Sequence, residues 1–377
     1  MTLTTPPVHR HNSFAIPRHR LPNDTDDVKV KVKWEPDWPL VPWSVHGHDA
    51  LFALIDDLEQ VLERFRAEGP DPDNLTDRLS TSGHLVVVSG EEGAGKTSLI
   101  HYCVHDLMTR LGCFDDPPPD APASPWSEMT LPPGVKVVNV AGERNDDKKL
   151  LYRNGKLAGI DEVNLTIYEQ VLEILRGGDE TFKHISESPE RTDDLKSASV
   201  EARYGRLSDI LMDLRWTIFV IVPNIKWNDR DLTRQFLRSC ASFSTPGIVF
   251  FVESTNSEMD ELVDAEFTES EKRHITHLTI GQLKEFDCEQ FITRRLLAAE
   301  AYTNHVVVTD DAHLGYRATV DYRCVRKMQL TFYGVAEEVR RNGGVIDMAR
   351  LRAYQEREQK QAEKEMRQRR KRRRGPS

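Results

Sequence analysis

Cysteine is sparse in this chain of 377 residues: Cys103, Cys113, Cys240, Cys288 and Cys324 are scattered, with no C-x-x-C pair. That spacing excludes a disulfide framework and a thiolate metal centre, and it fits reduced thiols in a cytosolic protein. No apolar run approaches the ~18 residues of a membrane span. The opening Met1-Thr2-Leu3-Thr4-Thr5-Pro6-Pro7 has neither the basic nor the apolar region of a secretory leader. The expectation is a soluble, cytoplasmic protein without membrane contact. Also missing are an internal repeat, a G-x-S-x-G nucleophile elbow and the guanine-reading N-K-x-D. These absences set aside solenoids, α/β-hydrolase chemistry and guanine recognition.

Positive charge is scarce over most of the chain and concentrated at its end. The formal net charge is −10, but Arg367 to Arg374 carries seven cations and no acid, so removing that stretch leaves −17. An acidic body with a basic tail admits three readings of the tail: a solvated segment, an arm for nucleic acid or an acidic partner, or a counter-charge for the body. No aromatics interleave the cations, so contact with phosphates is favoured over base reading.

The strongest motif is Gly90-Glu91-Glu92-Gly93-Ala94-Gly95-Lys96-Thr97, a full G-x-x-x-x-G-K-[ST] match. It follows the apolar run Leu85-Val86-Val87-Val88 and leads through Ser98, Leu99 and Ile100 into a helical pattern. A strand ending in a glycine-rich turn that opens a helix aims consecutive backbone N–H groups at one point, which suits a β-phosphate. Gly90, Gly93 and Gly95 give close approach, Lys96 places charge on the β/γ oxygens, and the Thr97 hydroxyl is the expected Mg²⁺ ligand. Glu91, Glu92 and Ala94 fill the variable positions. Bound Mg-ATP is the implied cofactor.

Residues 1–40 read as an extended or disordered arm, with the alternating Val28-Lys29-Val30-Lys31-Val32-Lys33 as a candidate edge strand. Apolar residues from Leu51 to Phe65 recur at helical spacing, with Asp49 as a candidate cap. Further strands are expected at Val135–Val140, Trp216–Val222, Gly247–Val252 and His274–Leu278, separated by helical patterns that include Leu165–Leu175 and Leu232–Phe243. Strands alternating with helices predict a three-layer α/β core with a mainly parallel sheet over 41–280, and a long charged insertion at about 142–214. A helical lid over 281–355 follows, with helices at Glu285–Glu300, Tyr322–Arg340 and from Asp347 onward, then the basic tail at 356–377.

This order of features resembles AAA+ and related STAND-type ATPases, nearest to the origin-recognition-like initiator branch, over roughly residues 41–355. The resemblance implies an ATP-driven assembly, with the chain itself or with a partner. It places Val45-His46-Gly47-His48-Asp49 at the adenine-side box, with His48 where Arg is usual. It makes Arg273 the arginine that reaches a neighbouring subunit's γ-phosphate, although a solvated charge at a strand edge accounts for it equally well. Arg323, in Val320-Asp321-Tyr322-Arg323, becomes the lid sensor, with Arg326 beside it and Ala336 at the family's alanine. Asn256, in Ser254-Thr255-Asn256, becomes the polar group that orients water.

The departure is at the third core strand. The family's apolar run ends there in Asp-Asp or Asp-Glu, whereas this chain has Phe219-Val220-Ile221-Val222-Pro223-Asn224. Neither Pro223 nor Asn224 can act as a general base. Substitute acids are Glu253, Glu143, Asp229 and Asp231, with Glu253 favoured by position; each is also readable as a surface acid. His101 and His105, spaced i, i+4, lack a third metal ligand.

Overall fold

The computed structural model describes residues 58–76, 82–111, 134–140, 152–153, 156–157, 159–178, 182–183, 198–227, 229–255, 258–281, 292–293, 307–309 and 325–373. The N-terminal arm, the adenine-side box, Glu143, Asn256, Arg323 and the expected helix at Glu285–Glu300, apart from two of its residues, lie outside them.

Helix α1 (Leu58–Glu68) is the described end of the expected N-terminal helix, and the short α2 (Pro72–Thr76) follows. Strand β1 (His84–Gly90) runs into the motif and then α3 (Lys96–Arg110). After β2 (Val135–Asn139) come a small hairpin, β3 (Tyr152–Arg153) and β4 (Lys156–Leu157), and two long helices, α4 (Ile160–Gly178) and α5 (Val200–Leu214). The core closes with β5 (Thr217–Val222), α6 (Arg230–Phe243), β6 (Ile248–Ser254), α7 (Met259–Glu266), α8 (Glu269–Lys272) and β7 (Ile275–Ile280).

The five core strands pair in the order β2-β5-β6-β1-β7, all parallel. Strands buried on both faces need apolar residues at every position, which is why β5 reads Thr-Ile-Phe-Val-Ile-Val. Alternation sends Val86, Val88, Phe219, Val249 and Phe251 to the face covered by α1 and α3. Leu85, Val87, Val220, Phe250 and Val252 face α4, α5, α6 and α7. The result is the expected three-layer α/β sandwich. Tyr204 fills the centre of the second face, stacked on Phe243 and edge-on to Tyr168 and Phe250.

The segment expected to be a charged insertion therefore supplies much of one core layer. Its helix α4 extends beyond the predicted Leu165–Leu175 at both ends, and α5 was not predicted at all. Beyond the core, α9 (Val325–Asn342) packs on α10 (Met348–Arg373). The latter continues as helix through the basic stretch to Arg373. No helix among the described residues is long and apolar enough to cross a membrane.

Candidate phosphate-loop site

The motif leaves the carboxyl end of β1, which lies between β6 and β7, and crevices at such ends are where open α/β sheets hold ligands. Gly93 and Gly95 have φ of 83° and 104°, a region that side chains with a Cβ avoid. A Cβ at Gly90 would stand 2.8 Å from the Ile280 carbonyl oxygen, so the loop's first residue must also be glycine to fit beside β7. Around Gly95, by contrast, a Cβ would meet nothing within 4 Å, which leaves space beside the backbone at the start of α3.

Lys96 is 5% exposed, and its ammonium donates to the carbonyl oxygens of Gly90 at 3.0 Å and Glu91 at 2.8 Å. The charge is thus held over the loop and not released to solvent. The Thr97 hydroxyl donates to Glu253 Oε1 at 2.5 Å. Pairing of Val88 with Glu253 places this carboxylate beside the end of β1, and alternation along β6 turns it to the α3 face, where Thr97 begins the helix. Burial pushes the Glu253 carboxyl up; the Thr97 hydrogen bond, the Lys96 charge and a hydrogen bond from the Asn224 backbone oppose that rise.

Asn224, at the position that lacks an acid, has a structural use. Its Oδ1 accepts from the Thr255 backbone N–H at 3.2 Å, tying the end of β5 to the segment after β6. Of the other substitute acids, Asp229 caps α6 by accepting from Asp231 N at 2.9 Å, and Asp231 lies 3.6 Å from Arg234. Both therefore serve helix α6. Glu92, in a variable position of the motif, lies 3.2 Å from the Lys226 ammonium across the loop.

The remaining expected residues divide. Arg273 is exposed and follows α8 at the amino end of β7, where His274 O accepts from Leu85 N. Gly90 lies five residues further along β1, or ~17 Å at 3.3 Å per residue. Arg273 and the phosphate loop thus lie at opposite ends of adjacent parallel strands, and Arg273 does not join the site within one chain. Arg326 lies in the first turn of α9, and Ala336 is fully buried on that helix. The backbone of Ser98 continues α3. No group of three or more His, Cys, Asp or Glu suited to a metal occurs among the described residues.

Sequence reasoning missed one cluster at this edge. Ser89 Oγ lies 2.7 Å from His277 Nε2, and His277 Nδ1 contacts Asp260 Oδ1. Ser89 directly precedes the motif and His277 interrupts an apolar strand, but only strand pairing shows that they meet.

No family model and no curated protein sequence matches the chain. Solved structures similar to it include the Aeropyrum pernix ORC1 protein in complex with DNA, at 15% identity and a TM-score of 0.45, covering 82% of this chain and 69% of that one. Cdc6p from Pyrobaculum aerophilum is similar at 13% identity and 0.42, covering 78% and 66%. Domain III of the Thermotoga maritima replication initiation protein DnaA is similar at 10% and 0.43, covering 84% and 97%. The chain thus spans about two thirds of the length of the first two. A parallel sheet in the order β2-β5-β6-β1-β7 with a phosphate loop at the end of β1 is a P-loop α/β fold.

Proposed function

We propose that this chain binds Mg-ATP at Gly90–Thr97 and uses binding, with slow hydrolysis, to drive or gate assembly with itself or a partner. The observation that carries this reading is the meeting of the buried Lys96 ammonium, the Thr97 hydroxyl and the Glu253 carboxylate at the mouth of one glycine loop. These residues fit the nucleotide. The positive-φ glycines leave the backbone open, Lys96 supplies a cation already inside the loop, and a hydroxyl and a carboxylate stand together where a hard divalent ion is held. Bound magnesium would neutralise charge on the β- and γ-phosphate oxygens. Adenine is the expected base, because the guanine-reading motif is absent.

In this reading Lys96 moves from the Gly90 and Glu91 carbonyls to phosphate oxygens. The Thr97 hydroxyl would hold the magnesium, and Glu253 would accept a proton from the attacking water. Asn256 orients that water, Arg323 reads the γ-phosphate as the lid sensor, and Arg273 acts on a neighbouring copy. Lys96→Ala is expected to weaken ATP binding about 10- to 100-fold, the scale of losing hydrogen bonds to a charged group. Glu253→Gln keeps an acceptor for Thr97, so binding persists while turnover falls by about 100-fold or more. Calorimetric titration and phosphate release check both variants, and unchanged ATP affinity in Lys96→Ala would sink the assignment.

Pro223 and Asn224 at the end of β5 favour a second reading, a non-catalytic nucleotide switch or scaffold whose basic tail contacts nucleic acid or an acidic partner. Tight ATP binding with wild-type turnover no higher than that of Glu253→Gln selects it.

A further inference from the structure

Ser89, His277 and Asp260 form a hydrogen-bonded relay that the nucleotide reading leaves without a use. Ser89 and His277 face the same side of the sheet from neighbouring strands, and both are buried, at 3% and 4% exposure. Asp260 stands on α7, and its side chain is 62% exposed. The order of groups matches a nucleophile relay, but Ser89 lies inside the sheet, where no substrate reaches it. Its hydroxyl also lies 3.3 Å from Thr279 Oγ1, a second partner within the strand pair.

The charged groups that act on His277 are Asp260 and Asp264 from α7 and Arg64 from α1. Burial pushes the imidazole pKa down and outweighs the carboxylates, so the ring is neutral at neutral pH. With an anionic Asp260 on Nδ1, that nitrogen carries the proton and Nε2 accepts from the Ser89 hydroxyl.

The relay closes a circuit. Asp260 follows Glu253 by seven residues in the chain, Ser89 adjoins Gly90, and the loop returns through Thr97 to Glu253. Helix α7 is also pinned to α6, through Arg230 with Glu258 at 3.1 Å, Arg234 with Glu266 at 3.0 Å, and Arg238 with Glu266. Ser89, at the strand end, is thus tied through His277 to a helix that presents its outer face to solvent.

We propose that Asp260 and His277 are positioning residues that brace the phosphate loop from beneath, so that loop occupancy and the placement of α7 are energetically coupled. The coupling to occupancy rests on the nucleotide reading of the loop; the brace itself does not. Coupling of this kind is reciprocal: whatever holds α7 also tunes the loop.

The test compares wild type with Asp260→Ala, Asp260→Asn and the control Asp209→Ala, at an exposed position of α5 away from α7. It uses titration with a fluorescent ATP analogue and Mg²⁺, and amide hydrogen exchange of Ser89–Gly95 without nucleotide. Asp260→Ala is expected to raise the Kd by at least about fivefold and to speed exchange of the loop amides about tenfold. Asp260→Asn restores both to near wild type, because its carboxamide oxygen still accepts from Nδ1–H, whereas a role in bulk charge alone would show no rescue. Asp209→Ala leaves both unchanged. The brace is overturned if Asp260→Ala matches wild type in exchange, or if Asp260→Asn behaves like Asp260→Ala. If even wild type fails to bind the analogue, the nucleotide reading fails and the exchange result alone decides the brace.

Discussion

His84 shows how single residues in this sheet are read from their partners. It sits at the start of β1, 5% exposed, with Nε2 2.8 Å from Thr276 Oγ1, and the Thr276 hydroxyl donates to the Glu68 carbonyl oxygen. Thr276 gives its proton to the end of α1, so His84 must donate, and a neutral Nε2–H tautomer satisfies both. Burial, with His274 nearby, lowers the His84 pKa from 6.5 to about 3. The sign follows from proton uptake: between those values the unfolded chain binds a proton that the folded chain does not. The contribution is present above pH 6.5 and is lost as pH falls toward 3. The slope is at most about 1.4 kcal/mol per pH unit. His84→Gln keeps a donor without a titrating ring, so denaturation midpoints from pH 7 down to pH 4 should fall less steeply than in wild type. Parallel profiles would refute the assignment. Nothing in the spelling of the sequence marks His84 or His277 as buried; cross-strand pairing does.

Elements were legible where periodicity was strong. All five core strands were expected within one or two residues at most ends, because strands buried on both faces spell continuous apolar runs. Helix α5 and the hairpin were hidden, since the charged positions on α5 mask its buried Tyr204, Leu207, Ile210 and Leu211. The α9–α10 pair shows a constraint that no propensity signals. Gly334 lies inside α9, where alanine would ordinarily add about 1 kcal/mol. A Cβ there would overlap the Tyr354 ring of α10. Gly334→Ala is therefore expected to destabilise by a net of up to about 2 kcal/mol, the overpacking cost less the helix gain. Thermal melting with Gly334→Ala, alone and combined with Tyr354→Ala, checks this; a raised midpoint in the single variant would contradict the close approach. At the site, alternation along β6 is what turns Glu253 toward Thr97, and position in sequence only nominated it.

At the scale of the whole molecule, charge and topology divide the work. The seven cations of Arg367–Arg374, carried at the end of an acidic body, suit phosphate contact without base reading. The helix running to Arg373 carries most of these cations on one continuous element. On the second reading, in which the tail contacts nucleic acid, removing residues 367–377 is expected to abolish duplex DNA binding. It should also remove up to about six units of the slope of log affinity against log salt, at ~0.9 per neutralised phosphate. Unchanged binding at low salt would dismiss the tail as a nucleic-acid arm. The sequence by itself determined the phosphate loop, the parallel α/β core and the missing acid after Val222, because each is written in contiguous residues with a local physical signature. Only the tertiary structure decided that Glu253 meets Thr97, that Asn224 secures the strand end, that Arg273 lies at the opposite strand end from the loop and that Ser89, His277 and Asp260 join. These contacts link residues up to about 190 positions apart, and strand order and register bring them together.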